Sequence, residues 1–186
     1  MYTYLLLLLL GFGSNLASAF TQFFIRRLGR KGGAFMIILL RDVLGIPVWA
    51  SGFVLAARGS PGFIFMPSVT LKIVAITLAL SGALIIIASL ISIGLKAVAP
   101  SGDDSLVSRG AYSVVRHPVH CGMFLEFLGL FLIWPSARLG TAFLVATAWI
   151  VLQSLSEEYD MKKRIPGYIE YMKRVPAFLP FAGRRH

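Results

Sequence analysis

Two short polar clusters stand directly against long apolar runs in this chain. The first, Gly110-Ala-Tyr-Ser-Val-Val-Arg-His-Pro-Val-His-Cys-Gly122, gathers Arg116, His117 and His120 around Pro118 at the start of one run. The second, Ser156-Glu-Glu-Tyr-Asp160, closes the next run. Titratable groups are costly beside a bilayer, and those that persist there mark ion, proton or substrate handling. An unperturbed histidine titrates in the range a general base needs, which makes His120 a candidate base. The competing structural reading is that Arg116 and His117 anchor a helix end to phosphate headgroups. If the two apolar runs form an antiparallel hairpin, both clusters meet at one membrane face, and that meeting place is the candidate active site.

The elements that must position these clusters are membrane helices. The 186 residues are 57% hydrophobic and only 14% charged, with a mean hydropathy of +0.79; soluble domains carry about 25% charged residues. Apolar runs near the roughly 20 residues that cross the hydrocarbon core recur at 3–25, 34–57, 70–94, 119–134 and 138–156. The expected fold is an all-α integral membrane protein of about five transmembrane helices, forming a single domain over 1–186. Its last two runs, joined at Trp134-Pro135-Ser136, form a hairpin, and a cytoplasmic tail follows.

The first run also has a signal-peptide flavour, with Leu5 to Leu10 followed by Ala17-Ser18-Ala19. It lacks a preceding positive charge, continues apolar to Ile25 and is followed by basic residues, so a retained helix is expected. Arg26, Arg27, Arg30 and Lys31 make a short basic loop ending at Gly32-Gly33. In the second run, Arg41 snorkels and need not pair with its neighbour Asp42, which is free to cap a pocket or reach another helix; Pro47 bends the run. Gly82, Ser89 and Ser92 in the third run favour close helix contact. Pro100 to Asp104 reads as a loop within a connector that folds back over the membrane face.

The net charge of +10 sits at the ends of apolar runs rather than in a nucleic-acid-binding motif, so no nucleic-acid partner is expected. With the N-terminus outside, the 26–33 loop, the 95–118 connector and the tail share one side and hold 14 of the 18 Lys and Arg residues. That bias predicts a cytoplasmic C-terminus and cytoplasmic polar clusters. Cys121 is the single cysteine, which excludes an intrachain disulfide and a cysteine-based metal cage; it reads as a packing residue.

The order Leu106-Val107-x-x-Gly110-x-Tyr112-x-x-x-Arg116-His117-Pro118, then Gly122, resembles the isoprenylcysteine carboxyl methyltransferase and phospholipid methyltransferase superfamily of integral membrane enzymes. The second half agrees: Glu157-Glu158-x-x-Met161, then Tyr168-x-x-Tyr171-x-x-x-Val175-Pro176-x-x-x-Pro180. The resemblance covers about 104–181. It implies S-adenosyl-L-methionine held beneath the C-terminal segment by Leu106, Val107, Tyr112, His117, Pro118, His120 and Glu157. It further implies that Arg116 orients polar groups near the reaction. The chain departs from the family pattern where His120 replaces a common tyrosine, where Gln153 aligns with an acceptor-handling arginine, and at Ile165-Pro-Gly167.

Methyl transfer from a sulfonium is chiefly a matter of in-line alignment. Glu157 suits the cofactor's amine or ribose hydroxyls, Tyr112 and Tyr168 are candidate walls, and a tyrosine face near the sulfonium is favourable. An amine or thiol acceptor needs a base, for which His120 is placed; a carboxylate acceptor needs none, and neither case requires a metal. Glu158 is expected to be solvated or paired with a tail lysine. Glu126, read as lying on roughly the same side of its helix as His120, is a candidate acceptor contact or a buried structural carboxyl. The expected partner is a membrane lipid or hydrophobic small molecule arriving from the bilayer. A nicotinamide-dependent membrane reductase and a non-enzymatic carrier or assembly protein are the alternatives.

Overall fold

The computed structural model describes residues 2–59, 62–94 and 105–180. Among these the chain is helical throughout and contains no strand: α1 (Thr3–Ser18), α2 (Thr21–Ile38), a π-helical turn (Leu39–Gly45), α3 (Ile46–Arg58), α4 (Val69–Ile93), a 3₁₀ turn (Gly110–Ser113), α5 (Pro118–Ile133), α6 (Ala137–Arg164) and α7 (Tyr168–Arg174). The loop expected at Pro100 to Asp104 and the basic pair Arg184 and Arg185 lie outside the described residues.

Three helical stretches are long and apolar enough to cross a membrane: Thr21–Arg58, Val69–Ile93 and Ala137–Arg164. The shorter helices α1 and α5 are also apolar. On α4, Ile73, Leu80, Leu84 and Ile91 stand exposed on the outside of the bundle, the apolar surface expected of a helix set in lipid.

The N-terminal third differs from its sequence reading. The first apolar run is two helices, broken at Ala19-Phe20, and the segment 26–33 is helical rather than a loop. The only interruption there is Gly29, at φ 72 and ψ 172, a conformation open to glycine and little else. Arg41 and Asp42 do pair, with the guanidinium donating to both carboxylate oxygens at 2.8 and 2.9 Å. The π-helical turn explains this, because its wider coil narrows the angle between successive side chains. The Arg41 carbonyl, which takes the Ile46 N–H, also accepts from Asn15 Nδ2 on α1 at 3.1 Å, while Trp49 Nε1 donates to Asn15 Oδ1 at 2.8 Å.

Hairpin formation by α5 and α6 follows from local chemistry. Pro118 opens α5 where its missing N–H costs nothing. Trp134-Pro135-Ser136 separates the two helices, and Ser136 Oγ caps α6 by accepting from Leu139 N at 3.3 Å. α5 also packs closely along α4. A Cβ on Gly82 would lie 2.5 Å from the Gly122 carbonyl, and one on Gly122 would lie 2.6 Å from that of Gly82. Helices in lipid associate through such close backbone contact because no water is expelled between them.

An aromatic layer joins the two halves. Phe12 of α1 stacks on Trp149 of α6 at 4.6 Å and on Trp49 of α3 at 5.5 Å, and Phe53 stacks on Phe127 of α5 at 4.8 Å. Trp149 in turn meets the edge of His120 at 5.7 Å, so the N-terminal helices brace the site from beneath.

Gly82→Val is expected to destabilise the protein by about 1–3 kcal/mol through forced separation of α4 and α5. Leu84→Ala, on the lipid-facing side, should be near neutral. Thermal unfolding of the two detergent-purified variants checks this, and equal melting temperatures would refute the close-contact assignment.

Candidate active site

Four segments converge at the end of the bundle: the loop before α5, the first turn of α5, the last turns of α6, and the tail from Ile165 to Pro180. Their centre is a buried ion cluster. Arg116 donates from Nε and Nη2 to Glu158 Oε1 at 3.0 and 2.8 Å, and from Nη1 to the carbonyls of Met172 and Val175 at 3.0 and 2.6 Å. His117 Nε2 lies 3.0 Å from the same Glu158 oxygen. Glu158 is therefore neither solvated nor paired with a tail lysine, contrary to its sequence reading; only 9% of its side chain is exposed. The reason is that a buried guanidinium needs a carboxylate beside it more than an exposed lysine does.

The backbone ties the tail down over this cluster. Arg116 N donates to the Pro176 carbonyl at 2.8 Å, and His117 N to that of Ala177 at 3.1 Å. Cys121 Sγ reaches the Phe178 carbonyl at 3.4 Å, and the Phe178 ring lies 5.6 Å from that of His117. Cys121 thus packs against the tail. Tyr171 donates its hydroxyl to the Tyr112 carbonyl at 2.6 Å. Leu106 packs into the small apolar cluster of Ile165, Tyr168 and Tyr171.

A second group faces the first from α6. Glu157 Oε2 is 3.6 Å from His117 Nδ1, and Glu157 Oε1 is 3.9 Å from His120 Nε2. Gln153 donates from Nε2 to Glu157 Oε1 at 2.9 Å. Ser154 Oγ shares a hydrogen bond of 2.9 Å with His120 Nδ1. Gln153 and Glu157, and likewise Ser154 and Glu158, are four residues apart and so share faces of α6. At 32%, Glu157 exposes far more of its side chain than Glu158 does.

The structure thus brings Leu106, Tyr112, Arg116, His117, Pro118, His120, Gln153 and Glu157 to one end of the bundle. Val107 sits two positions before the backbone bend that leads into the 3₁₀ turn. Glu126 does not share a face with His120. It lies on the stripe of α5 that meets Gly82 of α4, whereas His120 faces α6; six helical positions turn a side chain by about 240°.

Sequence reasoning missed Ser154, Trp149, Phe178 and the role of Asp160. The first two were signalled by their four-residue spacing from Glu158 and Gln153. Asp160, 5% exposed, accepts from Gln22 N at 3.0 Å at the start of α2 and also holds Arg164, a contact 138 residues apart that local pattern cannot disclose.

Electrostatics follow from this geometry. Burial pulls the His117 imidazolium towards its neutral form, but the carboxylates of Glu157 and Glu158 outweigh it and raise its pKa above the ordinary value. Burial raises the phenols of Tyr112 and Tyr168, with the carboxylates Glu157 and Glu158 adding to it, and pushes Tyr171 up to about 12. All three remain protonated donors. Three buried polar atoms among the described residues lack a partner: Trp149 Nε1, Gln153 Oε1 and Tyr168 Oη. Orphans of this kind next to an ion cluster mark a place for a ligand or ordered water.

An all-helical membrane protein with a histidine–glutamate site closed by its own tail is the class that these features define. The phospholipid methyltransferase family model matches residues 70–165, just over half of the chain, taking in α5, α6 and all but the first residue of α4. The chain belongs to this family of methyltransferases. It is also similar to the nickel-cobalt-cadmium resistance protein NccN of Alcaligenes xylosoxydans xylosoxydans and to the cobalt-zinc-cadmium resistance protein CzcN of Cupriavidus metallidurans. Each is 30% identical over 79 residues, a stretch covering 42% of this chain and 37% of the relative. The chain therefore matches little more than a third of those relatives' length. No solved structure matches it.

Arg116→Ala is expected to cost about 3–5 kcal/mol, because Glu158 is left buried without its partner; loss of melting temperature measures this. His117 gives a pH dependence whose sign is fixed. Its folded pKa is raised, so its contribution is complete below the ordinary histidine value of about 6.5 and is lost as pH rises through the folded value. The apparent melting temperature should fall across that window, and His117→Gln should flatten the fall. A wild-type profile that rises there would contradict the cluster's charge state.

Proposed function

We propose that the chain transfers a methyl group from S-adenosyl-L-methionine to a lipid-like or hydrophobic small acceptor, with its site at the cytoplasmic membrane face. The observation that carries this reading is the convergence of His117, His120 and Glu157 beneath a tail that has its own hydrogen bonds to the site. The donor set fits the cofactor: a part-exposed carboxylate for an amine or ribose hydroxyls, two aromatic faces, and the orphaned polar atoms of Gln153 and Tyr168. Bound there, the cofactor supplies an electrophilic methyl on a sulfonium.

The residues of the chain do the rest. Glu157 binds the cofactor's polar end, while Leu106, Val107, Tyr112, His117 and Pro118 enclose it. Arg116 acts through Glu158, holding that carboxylate and the tail in place. The tail keeps water from the reacting centre, and alignment lowers the barrier. His120, held by Ser154, receives the proton of an amine or thiol acceptor and is idle towards a carboxylate. Gln153, hydrogen-bonded to Glu157, meets the acceptor, and Glu126, turned towards α4, takes no part. The acceptor enters laterally through lipid, either as a prenylated cysteine, a phospholipid amine or a hydrophobic thiol. The excess of basic residues flanking the site-bearing segments supports the cytoplasmic placement. The names of the two relatives refer to metal resistance, which makes metal-stressed cells the setting in which to seek the acceptor.

Glu157→Ala and His117→Ala should each weaken cofactor binding at least about ten-fold, a loss of 1.4 kcal/mol or more. His120→Ala should mainly lower kcat if the acceptor carries a proton. Isothermal titration with the cofactor, and uptake of labelled methyl into amine, thiol and carboxylate acceptors, check these outcomes. Unchanged cofactor affinity in the first two variants would remove Glu157 and His117 from the site, and binding of a nicotinamide cofactor instead would favour a reductase.

A further inference from the structure

The distances around Glu157 leave something unexplained. His117 Nδ1 and His120 Nε2 both point at its carboxylate, at 3.6 and 3.9 Å. Both are too long for hydrogen bonds, although both histidines are buried. The three donor atoms lie within 4.8 Å of one another and form the one such group among the described residues. A tetrahedral cation with bonds of about 2.0–2.1 Å separates its donors by about 3.4 Å. The 3.6 and 3.9 Å separations run to different oxygens of the carboxylate, so gathering one ligand atom from each residue, now within 4.8 Å of one another, takes rotation of the Glu157 carboxylate as well as of the imidazoles.

Each would-be ligand is also held from behind. Glu158 takes the Nε2 proton of His117 at 3.0 Å, leaving Nδ1 to face inward. Ser154 holds His120 Nδ1 at 2.9 Å, leaving Nε2 inward. Gln153 Nε2 donates to Glu157 at 2.9 Å. Metal-ligating histidines characteristically carry such a partner on the other ring nitrogen, and it fixes both tautomer and orientation. Arg116 offsets the negative charge of Glu158 behind the site. The part-exposed Glu157 side leaves a fourth position open.

We propose that His117, His120 and Glu157 form a divalent transition-metal site, selective for borderline cations of the zinc, cobalt and nickel type. Two imidazoles and one carboxylate suit these ions better than calcium or magnesium, which prefer all-oxygen shells. This goes beyond the methyl-transfer reading and departs from the expectation that no metal is involved. It does not rest on that reading, although the cation takes His117 and Glu157, which that reading gives to the methyl donor, and His120, which it gives to the acceptor's proton.

The test uses the full chain purified in detergent without a polyhistidine tag and titrated with Co²⁺, read by visible ligand-field absorption and equilibrium dialysis. One equivalent per chain with intense visible bands is expected. His120→Ala and Glu157→Gln should abolish those bands, and Glu126→Gln should leave them unchanged. If the first two variants fail to fold, Ser154→Ala decides, with an expected loss of affinity of about 10- to 100-fold. No binding, or binding that Ser154→Ala and the triad variants leave intact, overturns the site. Cofactor titration of the same preparations separates the two ideas. Cofactor binding without triad-dependent cobalt binding sinks only the metal site, and cobalt binding without cofactor binding sinks only the methyl-transfer reading.

Discussion

The buried contact between Arg116, His117 and Glu158 is the constraint on which the rest of the site depends. Removing these groups from water carries a desolvation cost of several kcal/mol per ion, and it is offset only when every donor and acceptor is engaged. Here the guanidinium spends its donors on one carboxylate oxygen and two carbonyls, so the cluster is complete only when α6, the loop before α5 and the tail are all present. A partly assembled network of this kind is worse than none. Segments 42 and 59 residues apart are thereby made to close together rather than one at a time.

The N-terminal half contributes through a different force. Between helices in lipid there is no hydrophobic drive, so close backbone approach and aromatic stacking hold the bundle. The stacked Phe12, Trp49 and Trp149 carry that packing to the ring of His120. α1 and α3 supply no titratable group to the site, yet they set the depth at which His120 sits. The Asp160 contact to the start of α2 fastens the opposite corner, placing a carboxylate where the positive end of the helix dipole receives it.

How much of this was legible in the sequence depended on whether the signal was local. Pro118 at a helix start, Ser136 before α6 and the two polar clusters are local patterns, and each led to the element or meeting place found. The break at Ala19-Phe20 was not legible, because an apolar run looks the same whether one helix or two traverse it. The π-helical turn that pairs Arg41 with Asp42 was hidden for a related reason: reading by a 3.6-residue period assumes the turn is α-helical. The face taken by Glu126 follows only from strict helical geometry, since six positions fall far from a whole number of turns. The burial of Glu158 depended on Arg116, 42 residues earlier, which no window along the chain contains.

Glu157 and Glu158 show how adjacent and chemically identical residues divide their work. Neighbours on a helix point about 100° apart, so one carboxylate must turn inward when the other faces the opening. Glu158 turns to the cationic interior and has its oxygen claimed by both Arg116 and His117. Glu157 faces the opening and keeps a third of its side chain accessible, with Gln153 as its one hydrogen-bond partner on α6. A carboxylate that is already fully engaged cannot bind an incoming amine, hydroxyl or cation without first breaking the fold. The less committed one can. Of the two, Glu157 is the carboxylate left available for a ligand because Glu158 is already engaged, and His117 lies beside both.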